Sequence, residues 1–160
     1  MTRIHNPPHP GETLRDDVLP ALGLTVTEDM TSPFADLGDD VPDNLYPHEY
    51  VAAAYANGIT TGITPTTFGP FFDITRAQVV SMVVRAAQTL RPPGFLATPP
   101  ADYVSTWGAF SPTHQENAAI AEYNGLLFNL DLTALGPWGK MTRGEVAQVL
   151  TNLQSHQPSE

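Results

Sequence analysis

The chain has 160 residues, 41% of them apolar, with 17 acidic against 7 basic side chains and a formal net charge of −10. This size allows one compact domain or two small units and excludes a multidomain enzyme, while the acidity argues against a broad cationic face for nucleic acid. The absence of cysteine excludes disulfides, thiolate metal sites and a cysteine nucleophile, and the 12 glycines and 16 prolines predict short helices separated by many turns.

The first 31 residues form a leader segment that stands apart from the rest. Two stretches, MTRIHNPPHPGETLR (1–15) and VLPALGLTVTE (18–28), resemble the opening of helix-turn-helix antitoxins from toxin–antitoxin operons. The chain departs from that pattern at Asp29 and supplies no recognition helix, so reading of DNA grooves does not carry over from the resemblance, and we expect a leader helix instead. Because the segment has no apolar run of secretory length and no uncharged stretch of about 18 residues occurs elsewhere, we expect neither a signal peptide nor a membrane span.

An internal repeat is the most informative feature of the sequence. Residues 49–79 align without a gap with residues 116–146, at an offset of 67, and 11 of the 31 aligned positions are identical. The identical pairs are Glu49/Glu116, Ala52/Ala119, Ala54/Ala121, Asn57/Asn124, Gly58/Gly125, Thr66/Thr133, Gly69/Gly136, Pro70/Pro137, Thr75/Thr142, Arg76/Arg143 and Val79/Val146. We interpret the chain as a first repeat at 32–90 and a second at 101–154, joined by a proline-rich linker at 91–100 and followed by a tail at 155–160.

Each repeat is predicted to contain a helix, an ordered loop and a second helix. The first helix begins near Pro47 in one copy and after Ser111-Pro112 in the other, since proline favours the first helical turn. The two helices end at Asn57-Gly58 and Asn124-Gly125, which suit a left-handed cap. The apolar positions expected to face a shared core are Val51, Ala54 and Tyr55 in one copy and Ala118, Ala121 and Leu126 in the other.

The second helices have well-defined predicted starts. Thr75-Arg76-Ala77-Gln78 and Thr142-Arg143-Gly144-Glu145 are both capping boxes, in which the threonine caps the helix and the Gln or Glu side chain returns to the cap. Apolar residues then recur at helical spacing, at Val79, Met82, Val83, Ala86 and Leu90 and at Val146, Val149, Leu150 and Leu153. We expect these two stripes to pack together as the central core.

Five consecutive blocks of the first repeat resemble an S-layer homology (SLH) repeat. The blocks are Phe34-Ala35-Asp36-Leu37, Tyr50-Val51-Ala52-Ala53-Ala54, Asn57-Gly58-Ile59-Thr60-Thr61-Gly62, Phe68-Gly69-Pro70 and Ile74-Thr75-Arg76-Ala77-Gln78. The second repeat keeps Asn124-Gly125-Leu126, Leu135-Gly136-Pro137 and Met141-Thr142-Arg143-Gly144-Glu145. It lacks the opening Phe-x-Asp and has Asn129 where the first repeat has Gly62.

The resemblance implies an all-α, loop-rich module of tandem helix–loop–helix repeats packed through their second helices. It implies binding rather than catalysis, without a cofactor: the module anchors a protein at the bacterial cell surface by holding an anionic secondary cell-wall polysaccharide, often a pyruvylated one. Family members commonly assemble three repeats, with ligand grooves between neighbours, whereas two are visible here. One alternative is therefore a structural module that completes its bundle with a second copy or another SLH-containing chain, and another is an intracellular antitoxin-like regulator.

Arg76 and Arg143 are the leading candidates for ligand binding. An arginine in the first turn opposes the helix dipole, so its repeated placement there suggests an anion site in which the guanidinium, the helix start and the capping residues Thr75, Gln78, Thr142 and Glu145 act together. The alternative is a structural ion pair from each arginine to a nearby acid, with Asp36 or Glu49 and Glu116 as possible partners.

The remaining candidates have plain structural alternatives. Gly58, Gly62 and Gly125 could admit a sugar close to the backbone, although glycine after a short helix is more often only a cap. Five aromatic residues could stack on sugars but more often belong to a core: Tyr50, Tyr55, Phe71, Tyr123 and Trp138. The acidic stretch with Asp36, Asp39, Asp40 and Asp43 lacks the pattern of an EF-hand, and the five histidines lack metal-ligand spacing, so we expect solvated surfaces rather than metal sites.

Overall fold

The computed structural model describes residues 24, 26, 27, 29–39 and 48–156. This part of the chain contains four helices, α1 (His48–Ala56), α2 (Arg76–Leu90), α3 (Gln115–Tyr123) and α4 (Arg143–Ser155). Its only strand-like pairings are two isolated bridges, Thr64 with Thr67 and Thr75 with Lys140. The all-α prediction is therefore confirmed, whereas the antitoxin-like leader helix falls almost entirely outside the described residues.

The 67-residue offset is visible in the backbone. The helices α1 and α3 start 67 residues apart, as do α2 and α4. Asn57 Nδ2 donates to the carbonyl oxygen of Ala53 at 2.9 Å, and Asn124 Nδ2 donates to that of Ile120 at 2.8 Å. The helix ends predicted from the two Asn-Gly pairs are confirmed, since each glycine that follows is left-handed.

Both predicted capping boxes are present. Thr75 Oγ1 accepts from the amide of Gln78 at 3.3 Å, and Gln78 Oε1 accepts from the amide of Thr75 at 2.9 Å. Thr142 and Glu145 repeat the arrangement, with the Glu145 carboxylate accepting from the Thr142 amide at 2.6 Å. These reciprocal bonds satisfy helix-start amides that would otherwise have no intrahelical partner, and they fix where α2 and α4 begin.

Helix α2 lies at the centre of the molecule. It packs along α3 and also contacts α4. Its buried side chains occur on almost every face: Ala77, Val79, Val80, Ser81, Met82, Val83, Val84, Ala86 and Ala87. The two predicted apolar stripes are buried except at Leu90, which is partly buried. The prediction for Tyr55 is wrong, because this ring is 41% exposed and meets Phe34 only edge-on.

The loop between α1 and α2 is held by an acid from the opening segment. The Asp36 carboxylate accepts from the amide of Phe68 at 2.7 Å and from that of Gly69 at 2.8 Å. In the second repeat a side-chain donor holds the loop instead of an acceptor. The Trp107 indole donates to the carbonyl oxygen of Leu135 at 2.7 Å. The second repeat therefore holds its loop without the missing Phe-x-Asp block.

Candidate functional site

Arg76 joins the two repeats. Its Nε donates to Glu145 Oε1 at 2.8 Å, and both side chains are only 11% exposed. Its Nη1 reaches the carbonyl oxygen of Gly136 at 3.3 Å, and Gly139 leaves room for it, because an added Cβ there would lie 2.2 Å from Nη1. Arg76 thus forms a structural ion pair, but its acid is Glu145 and not Asp36, which accepts hydrogen bonds from loop amides instead.

The amides at the start of α2 also bind the second repeat. The amide of Arg76 donates to the carbonyl oxygen of Gly139 at 3.0 Å, and that of Ala77 donates to Pro137 at 2.9 Å. With the capping box closed as well, these helix-start donors are used inside the protein. The start of α2 therefore serves as a junction between the repeats.

Glu145 is the acid on which this junction depends. Its burial would raise its pKa, but the hydrogen bonds from Arg76 and Thr142 outweigh that effect and hold the pKa below its ordinary value. The carboxylate consequently stays ionised near neutral pH, with one oxygen on the guanidinium and the other on the cap amide.

Arg143, the counterpart of Arg76, has a different setting. It begins α4, and both it and its neighbours Thr142 and Gly144 are exposed. The repeated arginine motif therefore yields one buried inter-repeat contact and one surface position.

A groove of about 370 Å³ lies between the first-repeat loop, α2 and the start of the second repeat. We name it the inter-repeat groove; the residues that line it include Gly62, Phe72, Gln78, Arg85 and His114. Gln78 and Gly62 of the predicted site residues line it, whereas Arg76 and Arg143 do not. The structure thus brings the polar surface of the first repeat together with a histidine from the second.

Arg85 is the cation of the inter-repeat groove, and sequence reasoning missed it. It is partly buried, and burial lowers its pKa. None of the described residues forms an ion pair or a hydrogen bond with its guanidinium. The internal alignment contained one signal, namely that Arg85 is replaced by Asn152 at the position 67 residues later.

His114 stands beside this arginine. Its Nδ1 lies 2.7 Å from Ser81 Oγ, and Ser81 is buried in α2. Burial, and then the positive charge of Arg85, lower the pKa of His114. The imidazole is therefore neutral near pH 7, and Arg85 carries the local positive charge.

Aromatic rings flank the groove. Phe72 lines it and is 63% exposed, and Trp138 is 56% exposed while its ring meets that of His114 edge-on at 6.1 Å. The core interpretation therefore fails for Trp138, for Phe71, which is 78% exposed, and for Tyr123, which is 44% exposed. Flat, exposed rings beside a polar groove can pack against the apolar face of a sugar.

The three predicted glycines have distinct settings. Gly58 and Gly125 are left-handed helix ends where an added Cβ would meet no atom within 4 Å. At Gly62 an added Cβ would lie 2.4 Å from the Phe34 ring and 2.6 Å from the carbonyl oxygen of Thr67. Gly62 is therefore required for close packing of the loop that forms one wall of the groove.

The loop of the second repeat borders a separate groove of about 420 Å³, which we name the second-repeat groove. Asn129 lies there with a φ of 68°, in register with Gly62 at 69°. Glu122 and Asp131 also line it, and no basic side chain is among its described lining residues. The loops that border the two grooves therefore share a left-handed position, whereas Arg85 lines only the inter-repeat groove.

Comparison with known proteins gives one family match. Residues 39–80, 42 of the 160 in the chain, match the family model described as the S-layer homology domain. Domains of this family generally anchor proteins to cell-wall polysaccharide and act by binding rather than catalysis. None of the curated proteins searched matches the chain. No helix in the described part of the chain is both long and apolar enough to cross a membrane.

Proposed function

We propose that the chain is a non-catalytic cell-envelope module that binds an anionic secondary cell-wall polysaccharide and anchors a protein at the bacterial surface. The family match at 39–80 supports the class of ligand. The observation that carries the proposal is the inter-repeat groove, in which polar groups, the exposed ring of Phe72 and the cation Arg85 lie together.

The second repeat is, in this proposal, a divergent copy of the same unit. The matching helix starts and the paired asparagine bonds support that view. Its role is to complete the groove, because His114 comes from the segment that precedes α3 and because Glu145 holds Arg76. One groove between two repeats is then sufficient for binding.

The predicted ligand-binding residues have different roles in this proposal. Gln78 and Gly62 form groove surface, and Arg143 is a peripheral contact at the exposed start of α4. Arg76 and the remaining capping residues Thr75, Thr142 and Glu145 position the repeats, while Gly58 and Gly125 end the first helices. Phe72 offers a flat apolar surface to a sugar ring.

Cosedimentation with cell walls from the organism that encodes the chain tests the proposal. The protein should pellet with intact walls and stay in solution with walls whose secondary polysaccharide has been released by hydrofluoric acid. Phe72→Ala should weaken binding, whereas Val104→Ala, which removes an apolar side chain of similar exposure outside the groove, should not. Equal pelleting with intact and stripped walls would reject the proposal.

A further inference from the structure

We infer that the chain has a single anion site, in which Arg85 binds a carboxylate carried by a saccharide in the inter-repeat groove. The second-repeat groove, which acids line without a described basic side chain, binds no anion by the same inference. This inference rests on the proposed function, which supplies the polysaccharide. It adds that Arg85 binds the ligand, that the group bound is a carboxylate and that the chain has one such site.

The state of Arg85 is the first argument. A guanidinium taken partly out of water loses hydration that a nearby carboxylate would normally replace. No described residue supplies one, and the charge of Arg85 is felt at His114. A bound carboxylate would complete this environment, and its planar, singly charged shape matches the guanidinium fork.

The other charges in the groove do not cancel Arg85. Asp73 lines the same groove, but its carboxylate is paired with Lys140 at 2.5 Å, and both side chains are largely exposed. His114 is held neutral by burial and by Arg85. One positive charge therefore remains for an incoming anion.

Gln78 adds donors to the same groove. Its Oε1 accepts from both the amide and the hydroxyl of Thr75, so the capping box uses the oxygen of the side chain. The Nε2 group, which can only donate, is left for a ligand in the groove. Its counterpart Glu145 has no donor and carries a negative charge instead.

The residues of the second repeat that correspond to Arg85 and Gln78 are Asn152 and Glu145, and neither is among the described residues that line the second-repeat groove. Asn152, which replaces Arg85, donates from Nδ2 to the carbonyl oxygens of Leu126 and Phe128, both at 2.9 Å. Its Oδ1 accepts from Gln148 at 2.8 Å, so the side chain is committed to the protein. With Asp131 and Glu122 in the lining, this groove repels anions.

Calorimetric titration of the full chain with solubilised wall polysaccharide tests the inference. The wild-type protein should bind one polysaccharide segment per chain, and reduction of the polysaccharide carboxyl groups to alcohols should abolish binding. Arg85→Gln should weaken binding at least about tenfold, as expected for loss of a charge-assisted fork. Arg91→Gln, the same charge change at the C-cap of α2, should bind like wild type.

Gln78→Glu is a second test variant, and we expect it to keep the wild-type fold. The second repeat shows that a Thr-x-x-Glu capping box forms equally well, yet the new carboxylate would oppose an anion beside Arg85. We expect intact helical content and a loss of binding of about tenfold or more.

These outcomes distinguish a failure of the proposed function from a failure of the inference about Arg85. Absence of binding by the wild-type protein would reject the proposed function itself. If wild type binds, then unchanged affinity in both groove variants, two binding segments per chain, or full binding to carboxyl-reduced polysaccharide would each overturn the inference while leaving the proposed function in place.

Discussion

Arg76 and Glu145, 69 residues apart in sequence, form an ion pair at 2.8 Å that ties together the capping boxes of two different repeats. Glu145 caps its own helix with one carboxylate oxygen and binds the guanidinium of the other repeat with the second. One acid thus fixes both the start of α4 and its position relative to α2.

Arg76→Ala should destabilise the fold. It leaves a mostly buried carboxylate without its cation, and we expect a loss of about 1–2 kcal/mol in the free energy of unfolding, since the site keeps some solvent contact. Urea denaturation measures this loss. In the double variant with Glu145→Gln, which preserves a capping box of the Gln78 kind, part of the stability should return; strictly additive effects would contradict the pairing.

Gly58 and Gly62, two of the three glycines between α1 and α2, should respond differently to alanine. Both have positive φ, so each substitution costs about 1 kcal/mol from the backbone alone. In Gly62→Ala the added methyl group also collides with Phe34 and with the Thr67 carbonyl, and we expect a total loss of about 3 kcal/mol in the free energy of unfolding. Thermal melts of Gly62→Ala and Gly58→Ala should differ clearly, and equal melting temperatures would show that the loop packing is wrong.

His114 should titrate abnormally. Its pKa is lowered by burial and by Arg85, so NMR titration should place the imidazole below its ordinary pKa, and Arg85→Gln should raise it. The pKa of His114 is lower in the folded protein than in the unfolded chain. Its contribution to the free energy of unfolding is therefore complete above the unfolded pKa and is lost as the pH falls through the folded pKa. A His114 pKa unaffected by Arg85→Gln would contradict the proximity of the two groups.

Salt should accelerate binding to an anionic polymer. The net charge of −10 repels such a polymer at long range, while the proposed contact at Arg85 lies within a groove. Raising the salt from about 20 mM to about 150 mM should therefore increase the association rate constant, because the Debye length shrinks to roughly 8 Å. Interferometry on immobilised polysaccharide measures this rate, and a steep fall with salt would indicate a cationic surface instead.

Local chemistry explains what the sequence could predict. The capping boxes and the Asn-Gly helix ends depend on residues within one helical turn, so the sequence pattern was enough. Asn129 also retains the left-handed conformation of Gly62, which asparagine tolerates better than most residues.

Long-range partners could not be predicted in the same way. Nothing near Arg76 in sequence indicates that its acid is Glu145 or that Asp36 binds loop amides. Arg85 lies within the apolar repeat pattern of α2, and its difference from Asn152 at the aligned position does not by itself indicate a role. Its setting follows from tertiary packing, which brings His114 and the first-repeat loop to the same groove.

Chemical-shift mapping of the isotope-labelled chain with solubilised wall polysaccharide would locate the binding groove residue by residue. We expect the largest backbone and side-chain changes at Gly62, Gln78, Arg85 and His114, and no change in the loop at 127–133. Changes centred on 127–133, or spread evenly over both grooves, would contradict a single binding groove between the repeats.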